Sequence, residues 1–237
     1  MRAKNIYIIW FLIYKNLQIK YKQTALGFIW SLLHPALYLL IFITIFSNVF
    51  NSIQNYPLYV LSGLVFWLYF SEGSNRLSQV FIKNTHMIKC LGISKAIYAI
   101  AELGSELVSF TLGLIPFLII MFFMGLNISL NLLFLIPIII LFSIFIFSIG
   151  IILGSLNVFF RDVGILWLTL NPAIFYITPI AFSYNIVPEK FKYIISYNPL
   201  YHFLEIIRDV LYYNQPPSIT FSINAICITL FSSLIAL

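Results

Sequence analysis

No charged residue occurs between Lys22 and Glu72, and this uncharged stretch limits what the chain can fold into more than any other feature of its sequence. About 20 apolar residues cross a bilayer as a helix, so the stretch is long enough to cross once and begin to return. Its only polar break is residues 51–57. Charged residues are 8% of the chain, against about 25% in an ordinary soluble domain. The sequence therefore predicts a membrane protein.

Polar segments divide residues 1–237 into six predicted spans within one transmembrane domain. The spans lie at about 28–50, 57–80, 96–125, 131–157, 165–182 and 219–237. Residues 183–218, between the last two spans, are rich in Tyr, Asn and Pro; they are too polar to span and too apolar for an ordinary solvated loop. The predicted fold class is an all-α membrane protein with six transmembrane helices.

Residues 4–22 predict an amphipathic helix that lies in the membrane interface before the first span. At about 100° per residue, polar side chains fall on one face of this helix and apolar ones on the other. The polar face holds Lys4, Lys15, Gln18 and Lys22, and the apolar face holds Ile6, Ile9, Trp10, Ile13 and Leu17. We expect the lysines to face anionic lipid headgroups.

The distribution of Lys and Arg predicts the orientation, because cytoplasmic segments of membrane proteins carry an excess of both. With the N-terminus in the cytoplasm, ten of the 13 cationic residues lie on that side. They are Arg2, Lys4, Lys15, Lys20, Lys22, Arg76, Lys83, Lys89, Lys95 and Arg161. The three on the outer side have Glu189, Glu205 and Asp209 beside them, so that segment is nearly neutral.

Several kinds of chemistry lack their sequence signals. The chain has no G-x-x-x-x-G-K-[ST] loop for ATP and no H-E-x-x-H or clustered carboxylates for a metal. A dense basic patch for nucleic acid is also missing. We therefore expect that the chain does not bind ATP through such a loop, holds no metal and is not an enzyme of either kind. Cys90 and Cys227 show no C-x-x-C spacing and are expected to be small core residues.

Glu102 and Glu106 stand four residues apart near the start of the third predicted span, so both project from one helical face. Carboxylates at membrane depth are costly and are usually functional or paired. One interpretation is a proton relay or a cation contact, which would make the protein a proton-coupled secondary transporter. The other is pairing with Arg76, Lys95 or a neighbouring subunit. The sequence leaves both open.

Aromatic residues recur every fourth position along the first predicted span. Sugar rings can stack and slide on such flat, weakly polar faces, which suits a long uncharged polymer. Bulk facing lipid is the competing interpretation. The candidate substrate path combines this stripe with rings of other spans: Trp30, His34, Tyr38, Phe42, Phe46, Trp67, Phe175 and Tyr176.

Three motifs occur in order along the chain. The first is residues 20–30, KYKQTALGFIW, followed by His34-Pro35; the second is residues 157–163, NVFFRDV; the third is residues 198–202, NPLYH, with Ile207-Arg208-Asp209 after it. Together they resemble the membrane (permease) subunits of ABC-2 type ATP-binding-cassette (ABC) transporters that export polysaccharides. Such exporters carry O-antigen, capsular polysaccharide or teichoic acid. The resemblance extends over nearly the whole chain.

This resemblance implies a permease that exports lipid-linked polysaccharide, with O-antigen as the favoured cargo, across the bacterial inner membrane. It implies a homodimer with two copies of a separate ATPase, which would bind the ATP and Mg²⁺, while this chain holds no cofactor. The ATPase would dock on the first cytoplasmic loop, residues 83–95. The coupling residues there are Lys83, His86, Lys89 and Lys95.

Two further sites follow from the resemblance. Residues 183–218 would form a re-entrant outer hairpin of two short helices, at 187–197 and 200–212, that acts as a gate. Its gate residues would be Asn198, Pro199, Arg208 and Asp209. Arg161 and Asp162 would anchor the loop after the fourth span or mark where substrate enters, with a structural ion pair between them as the favoured role.

Overall fold

A computed structural model of the protein describes residues 2–21, 27–46, 53–125 and 129–237, and these residues form helices joined by short connections. The α-helices are α1 Arg2–Tyr21, α2 Trp30–Phe46, α3 Tyr56–Lys83, α4 Thr85–Leu91, α5 Lys95–Phe123, α6 Leu135–Phe159, α7 Asp162–Ile177, α8 Glu189–Ser196, α9 Pro199–Leu211 and α10 Ile219–Ala236. Short 3₁₀ turns lie at Gly27–Ile29, Leu130–Phe134 and Tyr184–Ile186. No strand occurs in these ranges, so the all-helical class is confirmed.

Six of these helices, α2, α3, α5, α6, α7 and α10, overlap the six predicted spans. Among the described residues, three helical stretches are long and apolar enough to cross a membrane: Lys95–Phe123, Leu130–Phe159 and Ile219–Ala236. A shorter apolar helix is α7. The protein is therefore a multi-pass membrane protein, and crossing by α2, α3 and α7 stays a prediction.

Helix α3 lies at the centre of the bundle, in contact with α2, α5, α6, α7 and α9. Most of its side chains are buried, including the polar Ser62, Ser74 and Ser78. Where a helix is covered by protein it needs no apolar face toward lipid, and its polar groups can bond to neighbouring helices. This position explains why α3 can hold buried polar residues.

Helices α3 and α6 approach each other closely at two glycines of α6. A Cβ atom on Gly150 would lie 2.4 Å from Cβ of Leu77, and one on Gly154 would lie 2.8 Å from the Leu77 carbonyl oxygen. Small residues let membrane helices pack at short range. Glycine at these positions therefore keeps α3 in the core.

The predicted N-terminal helix is present as α1, but its predicted single apolar face is not. Ile9, Ile13 and Leu17 pack against the core, mainly against α5, while Ile6 and Trp10 are exposed. Apolar residues occur on more than one side of α1. Their spacing in the sequence therefore did not distinguish the side that faces protein from the side that is exposed. The side chains of Lys4 and Lys22 lie outside the described residues.

Two short helices, α8 and α9, lie where the hairpin was predicted. Asn198 caps α9 by accepting a hydrogen bond from the Leu200 amide at 3.0 Å, and Pro199 takes the first helical position, where no amide hydrogen is needed. Helix α9 is almost entirely buried, against α3, α6 and α10. The re-entrant position of this pair in a membrane stays a prediction.

The expectation that both cysteines are core residues was wrong, because Cys90 and Cys227 are exposed. Cys90 lies on α4, most of whose described residues are exposed. Cys227 lies two residues after the buried Ala225, and positions two apart fall on nearly opposite sides of a helix.

Candidate functional site

A cavity of about 510 Å³ lies between the end of α1, the start of α2, α3 and α5. Aromatic and charged side chains share its wall, among them Trp30, Tyr69, Glu72, Arg76, Glu106 and Phe110. Tyr69 and Phe110 stack with ring centroids 4.4 Å apart. We call this the larger cavity. Its mixture of flat rings and polar groups can receive a ligand with both apolar and hydrogen-bonding faces.

Five charged side chains form the inner charge cluster beside this cavity: Lys20, Glu72, Arg76, Glu102 and Glu106. Glu106 lies between two cations, with Oε1 2.7 Å from Nε of Arg76 and Oε2 2.8 Å from Nζ of Lys20. Arg76 also lies 3.7 Å from Glu102 and 3.8 Å from Glu72. Asn16 of α1 donates to Glu102 at 3.0 Å. The cluster therefore ties α1 to α3 and α5.

These contacts answer the question about Glu102 and Glu106. The expected pairing with Arg76 is present, whereas the described structure contains no ion pair of either residue with Lys95, which is exposed. Arg76 contacts both carboxylates, and Lys20 contacts Glu106. This arrangement does not favour the proton relay.

A second cavity of about 160 Å³ lies between α2, α3 and α7, and we call it the smaller cavity. Four residues of the predicted substrate path line it, namely Tyr38, Trp67, Phe175 and Tyr176. The rings of Trp67 and Phe175 meet edge to face with centroids 5.4 Å apart. Leu68 and Glu72 belong to the walls of both cavities, so the two are neighbours.

The remaining substrate-path residues are distributed differently. Trp30 lines the larger cavity. Phe42 is buried, with its ring centroid 5.9 Å from that of Phe175. The side chains of His34 and Phe46 lie outside the described residues. The structure thus brings together rings from α2, α3 and α7 that are far apart in sequence, and their contact with substrate stays a prediction.

Two asparagines that the sequence analysis did not select join α6 and α7 to α3. Asn157 donates to the Ser78 carbonyl at 2.8 Å and accepts from the Gly164 amide at 3.0 Å. Asn171, only 1% exposed, points its amide nitrogen toward Ser71, Ser74 and Asn75, with the shortest contact 3.3 Å, to Oδ1 of Asn75. Amides within a predicted span were the available signal, because unpaired polar groups are costly there.

The structural ion pair expected for Arg161 and Asp162 does not form between them in the described structure, and their role as a loop anchor or entry site stays a prediction. Both side chains are exposed, and neither forms an ion pair with any residue that the structure describes. Successive residues at a helix start point in different directions, so adjacency does not bring two charges together. Asn157 holds this loop instead, through the Gly164 amide.

On the opposite end of α3, Arg208 of α9 is fully buried. Its Nη2 donates to the backbone carbonyls of Pro179 at 2.7 Å and Ile180 at 2.9 Å. The guanidinium carbon lies 3.8 Å from the ring centroid of Tyr59, and Nη1 lies 3.4 Å from Glu205. Burial raises the pKa of the Glu205 carboxyl, and Arg208 opposes that rise. Arg208 therefore fixes α9 to the connection after α7.

The other predicted gate residues also hold connections in place. Asn198 donates to Oγ1 of Thr178 at 2.9 Å. Asp209 accepts from Nε2 of Gln215 at 3.1 Å and from the Ser218 amide at 2.8 Å, which secures the turn before α10. If the hairpin of α8 and α9 opened as a gate, these hydrogen bonds would have to break. Movement of the hairpin stays a prediction.

The four predicted coupling residues lie in or beside α4, and all are exposed: Lys83, His86, Lys89 and Lys95. Lys15 of α1 reaches the Met87 sulfur of α4, with Nζ 3.9 Å from Sδ. The described residues contain no group of three or more His, Cys, Asp and Glu that could hold a metal ion. The loop is therefore a basic surface that adjoins α1.

Comparison with known protein sequences gives matches that cover most of the chain. Residues 7–212 match the family model described as ABC-2 type transporter. The O-antigen export system permease protein RfbA of Klebsiella pneumoniae is 34% identical over 188 residues, 78% of this chain and 73% of that protein. A protein of the same name from Myxococcus xanthus is 22% identical over 210 residues, 87% of this chain and 80% of that one. The polysialic acid transport protein KpsM of Escherichia coli is 24% identical over 228 residues, 93% and 88%.

Proposed function

The chain belongs to the ABC-2 type transporter family, and we propose that it is the permease subunit of an exporter for lipid-linked polysaccharide, with O-antigen as the expected cargo. Export would run across the bacterial inner membrane and would be driven by ATP in a separate subunit. The observation that carries this proposal is the similarity to the O-antigen export permeases over most of both chains.

The two cavities support the choice of a sugar polymer. Aromatic rings from three helices surround the smaller cavity, and the larger one adds Trp30 and the stacked pair Tyr69 and Phe110. Sugars present an apolar ring face and many hydroxyl groups, so a wall of rings with a few polar groups is suited to them. A polymer moves past such a wall because no single contact holds it strongly.

The basic loop around α4 supports docking of an ATPase on the cytoplasmic side. Its exposed cations would meet an acidic surface of the partner, and Lys15 at Met87 would transmit movement of α4 to α1. With the ATPase docked at this loop, the N-terminus would lie in the cytoplasm. The distribution of Lys and Arg predicts the same orientation.

A homodimer would complete the transport path. One bundle offers cavities of about 510 and 160 Å³, which are small compared with a hydrated polymer. Two copies related by a two-fold axis would enclose the path between them. This arrangement needs only one type of interface. The hairpin of α8 and α9 would close that path on the outer side.

Docking on α4 is testable with the native cysteines. In a Cys227→Ser variant, Cys90 of α4 is the remaining cysteine of the two in the chain. Assembly with the ATPase should protect Cys90 from a maleimide reagent. The matched control carries Cys227→Ser, Cys90→Ser and Lys190→Cys; Lys190 is an exposed residue of α8, and the thiol at this position should label equally with and without ATPase. Unchanged labelling of Cys90 in the assembled complex would count against docking at α4.

Export itself is testable in a polysaccharide-producing bacterium that lacks its own copy of this gene. The wild-type chain should restore surface polysaccharide, and Tyr38→Ala should reduce it without preventing assembly with the ATPase. Phe231→Ala is the matched control, since Phe231 is exposed on α10 and lies outside both cavity walls. Normal surface polysaccharide without the gene would overturn the proposed function.

A further inference from the structure

Glu72 is the one carboxylate of the inner charge cluster that faces both cavities. Its side chain is 48% exposed, and its nearest cation, Arg76, lies 3.8 Å away and is engaged by Glu106 at 2.7 Å. Five charged groups make up the cluster, two cations and three carboxylates, and Lys83 acts on Glu102 from further away. Glu72 shares its nearest cation with Glu106, so Glu72 is the carboxylate placed to present its charge to a ligand.

Asn171 offers a second hydrogen-bond acceptor in the wall of the smaller cavity. Its amide nitrogen faces α3, where the Ser71 carbonyl can only accept, and this fixes the amide orientation. Its Oδ1 atom is buried and has no hydrogen-bond partner in the described structure. A buried acceptor without a donor is costly, and such atoms in native proteins need a physical explanation. A ligand hydroxyl would supply the missing donor.

The rings beside these acceptors set the shape of the ligand. Tyr38 and Tyr176 are 39% and 76% exposed, so both can offer contact area to a molecule in the smaller cavity. A ligand that suits the site has a flat apolar side and donor groups at its rim. The incompletely paired carboxylate of Glu72 disfavours a carboxylate on that ligand, because like charges repel strongly where water is scarce.

We propose that the smaller cavity binds one neutral or amino sugar residue of the exported polymer, with hydroxyl groups donating to Glu72 and Asn171, and that it discriminates against acidic sugars. This inference rests on the proposed function and adds a substrate class to it. Glu72 and Asn171 are the specificity-determining residues.

Binding can be measured on the full chain in nanodiscs by the quenching of tryptophan fluorescence, because Trp67 lines the cavity. The probes are maltotriose, its fully O-methylated derivative and trigalacturonate. Maltotriose should bind about tenfold more tightly than either of the others, since the derivative lacks hydroxyl donors and trigalacturonate carries negative charge. Equal affinity for maltotriose and trigalacturonate, or no binding of maltotriose, would overturn the inference.

Variants assign the effect to the two residues. Asn171→Leu should weaken maltotriose binding about tenfold, and Glu72→Gln should remove most of the discrimination against trigalacturonate. Thermal unfolding of Asn171→Leu in the same nanodiscs should begin well above the temperature of the binding assay, which separates lost recognition from lost folding. Asn185→Leu and Glu189→Gln change exposed residues outside both cavity walls and should alter nothing.

Export by the assembled complex keeps the two proposals distinguishable. If the wild type exports polysaccharide while Asn171→Leu and Glu72→Gln bind maltotriose and trigalacturonate as the wild type does, the inference fails and the proposed function stands. If the wild type exports nothing although maltotriose binds as expected, the proposed function fails.

Discussion

Two arginines at opposite ends of α3 are held in different ways. Arg208, next to Tyr59, is fully buried and donates to two backbone carbonyls. Arg76 has a side chain 28% exposed, faces the larger cavity and is held by carboxylates, of which Glu106 is the nearest at 2.7 Å. One end of the helix is anchored by backbone, and the other by charges that belong to three different helices.

The difference lies in how easily the partners of each arginine can change. Nη2 of Arg208 donates to the backbone carbonyls of Pro179 and Ile180, which belong to the connection after α7. The carboxylates around Arg76 stand on α3 and α5, and Lys20 on α1 also pairs with Glu106, so we expect a shift of α1 to change which charges pair.

Removal of Arg208 should have the largest effect on stability. We expect Arg208→Met to lower the free energy of unfolding by about 3–5 kcal/mol, because Glu205 and two backbone carbonyls lose their buried partner. The measurement is unfolding in detergent followed by tryptophan fluorescence. Arg161→Met is the matched control, since Arg161 is exposed. Equal stability of the two variants would remove the structural role of Arg208.

Removal of Glu106 should affect stability less and transport more. Glu106→Gln is expected to lower the free energy of unfolding by about 2 kcal/mol, because Arg76 keeps Glu102 and Glu72 as neighbours. Export should fall about tenfold or more, since the link between α1 and the cavity wall is lost. Glu189→Gln, a change at an exposed carboxylate, should alter neither quantity. Normal export by Glu106→Gln would contradict the distinction between the two ends.

Lys20 tests the α1 side of the cluster separately. Its side chain is 23% exposed, so we expect Lys20→Met to cost only about 1 kcal/mol. Combined with Glu106→Gln, it should add less than its separate effect, because both changes remove the same contact. Fully additive losses would show that the two residues do not interact in solution.

An ion pair outside the bundle provides the smallest expected effect. Lys192 and Glu189 of α8 lie 2.5 Å apart, with the Glu189 side chain 87% exposed. Water screens such pairs, so Lys192→Met should leave both stability and export unchanged. A measurable loss in either assay would mean that α8 contacts something beyond the described chain.

The positions of the helices could be predicted because apolar stretches and polar breaks are local properties of the sequence. The central position of α3 could not be predicted, since burial depends on which helices surround it. Its buried Ser74 and Ser78 are explained only by the contacts of α3 with α6 and α7. The prediction for the faces of α1 was wrong for the same reason. Ile6 and Ile9 are equally apolar, and only the packing of α1 against α5 makes one exposed and the other partly buried.

The candidate site divides in the same way. Aromatic spacing along the first predicted span indicated Tyr38, and Trp67 and Phe175 were added as rings of other spans; all three line one cavity. The amide of Asn171 was missed because its partners are about 100 residues away, and sequence spacing carries no information about them. Arg161 and Asp162 were selected because they are oppositely charged neighbours in sequence. Their side chains, both within the described residues, do not form an ion pair with each other, since successive residues at a helix start point in different directions.

The central claim is that ATP hydrolysed by a partner subunit, and not a proton gradient, drives export through this chain. The most direct test is transport of a lipid-linked polysaccharide by the assembled complex in proteoliposomes, with and without ATP and with and without a protonophore. The account predicts export that requires ATP and survives collapse of the proton gradient. Export that follows the gradient and continues without ATP would contradict it and would return Glu102 and Glu106 to the role of a proton relay.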